Sequence, residues 1–201
     1  MREFQKLDQF RVPPGFRGRG AVVVLLWQVV QSTLFALSPQ PFFAWRRFLL
    51  RLFGAKIGRK VLLRPTVRVT YPWKTEIGDY SWIGDHVELY SLDCISIGSH
   101  SVISQRSYLC TGSHDMADLA FSYITAPITV GDQVWIASDV FVAPGVKVGR
   151  GAVVGARSTV REDVPPEVVA IGEPARVVRD RLASDGDQSC NAISEPSDPR
   201  H

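Results

Sequence analysis

The sequence is poor in the residues that build disulfides and metal sites. Its 201 residues include three cysteines, Cys94, Cys110 and Cys190, and no two of them form a CxxC pair. An odd, unpaired set of cysteines is typical of a reducing compartment, so we expect a cytoplasmic protein. Only four histidines are present, and the formal net charge of +3 is too small to indicate a nucleic-acid partner.

A long uninterrupted apolar run is also missing. Residues 21–37 are strongly apolar, but polar residues interrupt them, and the run falls short of the roughly 18 residues that a spanning helix needs. The run begins late and no A-x-A-like site follows it, which argues against a signal peptide. Residues 1–20 are polar with scattered Arg and Gly, and they predict an irregular arm.

What the sequence has is a six-residue period from Ile57 to about Pro165. Each hexad opens with one aliphatic residue. Most of the fifth positions hold a small or β-branched residue, and twelve of these are Val61, Val67, Ser81, Val87, Ser101, Ser107, Ser113, Val134, Val140, Val146, Ala152 and Ser158. A fixed period of six is typical of the hexapeptide β-helix, in which three short strands and three corners close one triangular coil. A sandwich of ordinary strands would not hold this phase. The fifteen openers are Ile57, Leu63, Val69, Ile77, Ile83, Leu89, Ile97, Ile103, Leu109, Val130, Ile136, Val142, Val148, Val154 and Val160.

Breaks in the period mark the ends of coils. Two breaks each add two residues, and each follows three hexads; a third, from Leu109 to Val130, adds fifteen residues. We therefore predict about five coils within residues 55–182, with residues 115–129 leaving the prism as a loop. Glycine often follows the opener, and we expect it to supply backbone angles that a Cβ would penalise.

Residues 21–54 predict helices in front of the repeat. Between Phe42 and Phe53, apolar residues recur at helical spacing on one face and arginines occupy the other, and Gly54 predicts the stop. The apolar face consists of Trp45, Phe48, Leu49 and Leu52, and the basic side of Arg46, Arg47 and Arg51.

Two interpretations of residues 21–53 stay open. The segment either caps the unpaired strand edges at the end of the prism or anchors the protein at a membrane interface. At the other end, residues 174–182 predict a last short helix or arm. The tail, residues 183–201, is rich in Ser, Asp and Pro and predicts disorder.

His114 is the candidate for chemistry. By hexad count it ends the third coil and directly precedes the loop, and loops beside a rigid platform commonly carry functional sites. A histidine side chain can accept a proton from an alcohol near neutral pH. His86 and His100 take outward corner positions on different faces, which favours ordinary surface residues. Spacing alone leaves the role of His114 open.

The repeat resembles the hexapeptide-repeat acetyltransferases, which include the maltose, galactoside and nodulation sugar O-acetyltransferases. The resemblance covers residues 55–180 and implies an all-β, left-handed parallel β-helix and a homotrimer with acetyl-CoA in the cleft between neighbouring prisms. The apolar N-terminal segment and Thr111-Gly-Ser-His-Asp are most similar to colanic acid biosynthesis acetyltransferases. The other segments that carry it are Gly131-Asp-Gln-Val-Trp-Ile-Ala-Ser-Asp-Val, Val142-Ala-Pro-Gly-Val-Lys-Val-Gly and Gly172-Glu-Pro-Ala-Arg-Val-Val.

The resemblance also implies roles for single residues. His114 falls on the family's catalytic histidine, the general base for the acceptor hydroxyl, in a direct attack on the thioester without metal or covalent enzyme intermediate. Arg161 stands where the family usually has threonine. The residues expected to contact the coenzyme are Trp135, Ser138, Ala156, Arg161, Arg176 and Arg179, and those expected to bind the acceptor are Asp93 and Asp115. Phe121 and Tyr123, in the loop, are expected to reach a neighbouring subunit.

The sequence therefore predicts an acetyl-CoA-dependent O-acetyltransferase. Its acceptor would be a sugar hydroxyl of a surface polysaccharide or of a lipid-linked precursor, in the cytoplasm or at the inner face of the membrane. Two alternatives remain. A γ-type carbonic anhydrase uses the same β-helix but needs three histidines around zinc, and no second histidine closely follows His114. A catalytically silent scaffold is the other.

Overall fold

The fifteen hexad openers line the interior of a triangular prism. The structure is a computed structural model that describes residues 3–183, and all fifteen openers are buried in it. Of the twelve small or β-branched residues assigned to fifth positions, eleven are buried as well; Ser113 is exposed. The predicted six-residue period is therefore the period of the fold, except where Ser113 departs from it.

Short parallel strands form the three faces of the prism. Face A contains β1 (Lys56–Ile57), β4 (Thr75–Ile77), β7 (Ile95–Ile97), β12 (Ile128–Val130) and β15 (Lys147–Val148). Face B contains β2 (Leu62–Leu63), β5 (Trp82–Ile83), β8 (Val102–Ile103), β13 (Trp135–Ile136), β16 (Val153–Val154) and β18 (Val168–Gly172). Face C contains β3 (Arg68–Val69), β6 (Glu88–Tyr90), β9 (Tyr108–Cys110), β14 (Phe141–Val142) and β17 (Thr159–Val160).

The coils stack in register, opener upon opener. Ile57 pairs with Ile77, and Ile77 with Ile97. Five coils are complete, as predicted, and a sixth begins where Val164 bridges to Val148 and β18 joins face B. The first two-residue break falls at the 3-10 turn Pro72–Lys74, between the first coil and the second.

The corner glycines have a different physical reason from the one that the sequence suggested. Glycines that follow an opener, such as Gly58 and Gly98, do not have positive φ. Instead, a Cβ on Gly98 would lie 2.6 Å from the backbone nitrogen of Asp132 in the next coil. Positive φ falls two residues later in the hexad, for example at His86 and His100, where it is 56°. Glycine is thus required for close stacking of coils rather than for its backbone freedom.

Helices cover the N-terminal end of the prism. They are α1 (Ala21–Val30), a π-helix (Gln31–Phe35) that continues it, and α2 (Phe43–Leu52); a 3-10 turn, Leu7–Gln9, lies in the preceding arm. Gly54 ends α2 with φ of 92°, as predicted. In α1, the Trp27 indole donates a hydrogen bond to the Val69 carbonyl. Within residues 3–183, no helix combines the length and apolar character needed to cross a bilayer.

Helix α2 packs with its arginines inward. Arg46 is completely buried, and its Nε donates to the Leu63 carbonyl at 2.6 Å. Arg47 donates to Val61 O and Arg51 to Ile57 O. The first coil leaves its carbonyls unpaired by any earlier coil, and only hydrogen-bond donors can satisfy them.

The apolar face of α2 is consequently turned outward. Trp45, Phe48 and Leu52 are exposed, and of the four residues predicted to share that face only Leu49 is buried. The segment is therefore a cap, but its basic side rather than its apolar side covers the strand edges.

The C-terminal segment is a strand. Residues 175–180 form β19 (Ala175–Asp180), which pairs antiparallel with β18, so the helix considered for residues 174–182 is wrong and the arm is correct. Strand β19 follows β18 directly, and its backbone is hydrogen-bonded along the outer edge of face B. The predicted disordered tail lies, from residue 184 on, outside the described residues.

Candidate active site

A β-hairpin leaves the prism after β9 and carries His114. Its strands are β10 (Gly112–His114) and β11 (Tyr123–Thr125), with His114 opposite Tyr123. The loop predicted at 115–129 is in fact 112–127, because Ile128 already lies in face A. Thr111 is the last residue held by the prism: its hydroxyl donates to Tyr90 O at 2.7 Å. This early departure explains why Ser113 is exposed.

The backbone of the hairpin orients the His114 ring. Nδ1 lies 2.7 Å from the carbonyl oxygen of Phe121, and the Phe121 ring stacks on the imidazole at 4.2 Å and 9°. A carbonyl oxygen only accepts, so Nδ1 carries the hydrogen and Nε2 keeps its lone pair. No hydrogen bond within residues 3–183 engages Nε2. His114 is thus held in the tautomer that a general base requires.

Asp115 shapes the hairpin turn rather than the imidazole. Its carboxylate accepts a hydrogen bond from the Ala117 amide at 2.8 Å, and its own amide donates to Ser122 O. The orienting contact, the Phe121 carbonyl, was missed from the sequence because any residue could supply it. A role of Asp115 in acceptor binding stays a prediction.

The N-terminal arm folds over this hairpin. Phe16 stacks on Tyr123 at 4.7 Å, and the Phe10 ring lies 6.0 Å from that of His114. The Lys6 amide donates to Leu119 O at 2.6 Å, which ties the arm to the hairpin tip. Tyr123 itself lies 4.7 Å from His114.

Phe121 and Tyr123 both contact His114 of their own chain. The contact with a neighbouring subunit that the sequence suggested stays a prediction. The arm, which the sequence indicated only as irregular, places Phe10 beside the candidate base and Phe16 on Tyr123. The signal that could have found it is the pair of aromatic residues in an otherwise polar stretch.

A partly buried lysine, Lys74, ties the arm to the second and third coils. The Lys74 ammonium donates to the carbonyls of Phe16 and Leu92. Burial lowers the pKa of Lys74, an effect opposed by the nearby Asp93 carboxylate. The Asp93 carboxylate accepts from the Cys94 amide, and the Asp93 amide donates to Thr111. Asp93 therefore lies at the base of the hairpin, and no hydrogen bond in the described part of the chain joins it to His114.

Most of the residues expected to contact the coenzyme lie elsewhere on the prism. Ser138 and Ala156 occupy equivalent corners between faces B and C in successive coils, where the Arg157 amide donates to Ser138 O. Trp135, on β13 of face B, is 48% exposed and donates to the Ser104 hydroxyl at 3.0 Å.

The expected arginines divide between two places. Arg176 and Arg179 lie on β19 at the end of face B; Arg176 forms an exposed ion pair with Glu162, 3.2 Å long. Arg161, in contrast, follows β17 and lies past face C, at the next corner. Trp135, Ser138 and Ala156 therefore share one side of the prism, and Arg161 lies at another corner, beside the Glu162 that Arg176 binds.

One chain does not bring the two groups together. His114 leaves the prism between β9 of face C and β12 of face A, whereas Ser138 and Ala156 lie between faces B and C. The two edges are separated by the width of face C, up to about 20 Å for a hexad of extended chain.

The other two histidines within residues 3–183 are not gathered around His114. His86 follows β5 and His100 follows β7, so they lie at different corners, as predicted. His100 stacks on Tyr80 at 5.1 Å. Among residues 3–183, no group of three or more His, Cys, Asp or Glu side chains has the arrangement of a metal site.

Comparison with known proteins gives a consistent family. A family model described as bacterial transferase hexapeptide (six repeats) matches residues 127–162. The protein named "Putative colanic acid biosynthesis acetyltransferase WcaF" of Escherichia coli K12 is 58% identical over 181 residues, which cover 90% of this chain and 100% of that protein. Galactoside O-acetyltransferase of the same organism is 33% identical over 139 residues, 67% of this chain and 68% of that protein.

Solved structures of hexapeptide-repeat acetyltransferases resemble the fold of this chain. A hexapeptide-repeat acetyltransferase of Vibrio cholerae in complex with acetyl coenzyme A has a TM-score of 0.73 and 29% identity, covering 81% of this chain and 91% of that one. Galactoside acetyltransferase in complex with coenzyme A has a TM-score of 0.74 and 26% identity, covering 85% and 84%. These likenesses confirm the predicted left-handed parallel β-helix.

Proposed function

The chain belongs to the hexapeptide-repeat acetyltransferases, and from that membership we propose that it transfers an acetyl group from acetyl-CoA to a sugar hydroxyl in surface polysaccharide biosynthesis. The observation that carries the proposal is the His114 ring, whose Nδ1 is bound to Phe121 O and whose Nε2 is left as an acceptor. The cytoplasmic location expected from the cysteines fits this chemistry.

His114 acts as the general base. Its Nε2 accepts the proton of the acceptor hydroxyl while Nδ1–H holds the Phe121 carbonyl, so the ring does not rotate as it gains charge. The hydroxyl oxygen then forms a bond to the thioester carbonyl carbon. The resulting oxyanion needs donors, which we assign to backbone N–H groups at the coenzyme corner. On collapse the carbon–sulfur bond breaks, and the imidazolium returns its proton to the leaving sulfur.

The corner of Ser138 and Ala156 fits a coenzyme arm. Ala156 is exposed and small, so a chain of atoms could approach the backbone there without meeting a side chain. Trp135 beside it offers an exposed indole, and Arg176 and Arg179 offer guanidinium groups that suit phosphate oxygens.

The site we propose is completed between neighbouring prisms of a homotrimer. Because His114 and the Ser138–Ala156 corner lie on different edges of one prism, a neighbour has to supply one of them. In a cyclic assembly the same edge of every protomer meets the other edge of the next one. Each cleft would then hold one His114 hairpin and one coenzyme corner.

The acceptor would bind against the aromatic residues of the arm and hairpin. Phe10 and Tyr123 lie beside the imidazole and Phe16 stacks on Tyr123, and such rings pack well against the apolar faces of sugars. Asp93 at the base of the hairpin and Asp115 at its turn are the carboxylates available for sugar hydroxyls.

An acceptor screen tests this function. Purified protein is incubated with acetyl-CoA and a panel of free, nucleotide-linked and lipid-linked sugars, and thiol release is measured together with the mass of the product. We expect one acceptor class to gain about 42 mass units, the mass of an acetyl group less that of the hydrogen it replaces, in step with coenzyme A release. Absence of release with every acceptor would favour the silent scaffold and contradict the proposal.

A further inference from the structure

The outward side of the N-terminal cap is an apolar surface that no other part of residues 3–183 covers. We call it the cap face. Its most exposed members are 51–80% accessible, far more than core residues of similar type. An apolar groove between the end of the π-helix and α2, lined by Leu34, Phe42 and Trp45 among others, opens on this side. The cap face comprises Val22, Leu25, Val29, Leu37, Phe48 and Leu52.

The surrounding charge has one sign. Residues 9–75 contain twelve Arg and Lys and no Asp or Glu, although the whole chain has almost balanced charge. Three of these twelve pair with carboxylates of the second coil: Lys56 with Glu76, Arg59 with Asp79, and Arg64 with Asp85. The other nine form no ion pair within residues 3–183, and four of them, Arg46, Arg47, Arg51 and Lys74, are turned inward onto backbone carbonyls. The remaining five are Arg11, Arg17, Arg19, Lys60 and Arg68. The end of the prism is thus apolar and basic at once.

We propose that the cap face docks on the surface of an anionic lipid bilayer. Exposed apolar side chains enter the boundary between headgroups and acyl chains, and nearby basic residues are attracted to anionic headgroups. A second copy of this chain fits less well, since a twofold contact would place the same basic surface against itself. The inward arginines of α2 stay on the strand edges, so docking leaves the cap intact.

A buried cluster of side chains connects the helices of the cap to the His114 hairpin. Val24 on the inner side of α1 packs in one buried cluster with Tyr71 and Leu92, and Tyr123 packs against that cluster. Docking therefore holds the candidate base close to the bilayer surface, where a lipid-linked saccharide would be presented. The docking itself does not depend on the proposed acetyl transfer.

Vesicle flotation of the full-length protein tests the proposal. The probes are vesicles of phosphatidylcholine alone and vesicles that also contain phosphatidylglycerol. We expect binding to the anionic vesicles that weakens as salt is raised, and a blue shift of tryptophan fluorescence. The variant Leu25→Glu/Leu52→Glu should lower the partition coefficient at least about tenfold, because it places two charges in the apolar face.

The matched control is Val178→Glu/Leu182→Glu, which makes the same change at two exposed residues of the C-terminal arm, 56% and 90% accessible. It should float like the wild type. Thermal unfolding and circular dichroism confirm that both variants are folded. Equal flotation of the wild type and the Leu25/Leu52 variant, or no flotation of the wild type, would overturn the proposal. So would a wild-type dimer that this variant splits in gel filtration, which would identify a second copy as the occupant.

Discussion

A mixing experiment tests whether the active site is shared between protomers. One variant, His114→Ala, lacks the base but keeps the coenzyme corner. The other, Ala156→Trp, keeps His114 but places an indole where the coenzyme arm is expected. Both residues are accessible and outside the prism interior, so neither change should disturb the buried core.

The expected activity follows from the two edges of the prism. If each site takes His114 from one protomer and the Ala156 corner from the next, a random equal mixture makes about a quarter of all clefts intact, whatever the ring size. If both residues of a site came from one chain, every cleft in the mixture would contain one defect. The two arrangements therefore predict about a quarter of wild-type activity and essentially none.

The assay uses co-expressed variants with different affinity tags, purified in sequence so that every oligomer contains both chains. This selection removes the pure oligomers, and every mixed trimer then has one intact cleft of three, so the expected activity of the selected sample is about a third of the wild type. Each single variant, checked for the same mass in solution, provides the background. Mixed oligomers that stay at that background would refute the shared site.

Three further predictions concern the cap, the arm and the corners. Arg46→Met should lower the free energy of unfolding by about 3–5 kcal/mol in chemical denaturation, because several buried acceptors lose their donor. The exposed control Arg68→Met should lower it by less than about 0.5 kcal/mol. Equal losses in the two variants would contradict the role of Arg46 in the cap. Phe16→Ala should raise the acceptor KM about 3–10-fold and leave the acetyl-CoA Kd unchanged in steady-state kinetics and calorimetry; an unchanged KM would remove the arm from the acceptor site. Hydrogen bonds from Arg106 lower the pKa of Asp139, and those from the amide and side chain of Arg59 lower the pKa of Asp79. The stability that these two carboxylates contribute is therefore present above their unfolded pKa and is lost as the pH falls through their lower folded pKa. The Tm of the wild type should fall below about pH 4, and that of Asp139→Asn should fall less steeply. A Tm that rises in this range would contradict the direction of these pKa shifts.

The prism could be predicted because its constraint repeats. Each coil needs an aliphatic residue at the same place, so a period of six in the openers from Ile57 to Val160 carries the fold without any knowledge of partners. The same period failed at Ser113, where the phase continues in the sequence but the chain has already left the prism. A periodic pattern shows which residues could lie inside the prism, but it does not show where the third coil ends. In the structure that end is Thr111, whose hydroxyl donates a hydrogen bond to Tyr90 O.

The orientation of α2 needed information that its own sequence lacks. An amphipathic helix buries its apolar side when it meets an apolar surface. Here it meets the carbonyls of the first coil, so Arg46 is buried and Phe48 is exposed. The role of the corner glycines was misjudged for a related reason. The group that excludes a side chain at Gly98 belongs to a residue in the next coil, which is distant in the sequence.

The candidate site was predicted in part. His114 could be singled out by its position beside the loop and by resemblance. The groups around His114 could not be predicted in this way. They are the backbone carbonyl of Phe121 and two aromatic residues of the arm, Phe10 and Phe16, and none of them is marked by the six-residue period. Such contacts depend on how the arm and hairpin meet in space.

The most direct measurement of the central claim is the turnover of His114→Ala, with acetyl-CoA binding and oligomeric mass determined on the same preparation. If His114 is the base, kcat falls at least about a hundredfold while the acetyl-CoA Kd and the mass stay those of the wild type. A kcat within a few-fold of the wild type would contradict that role.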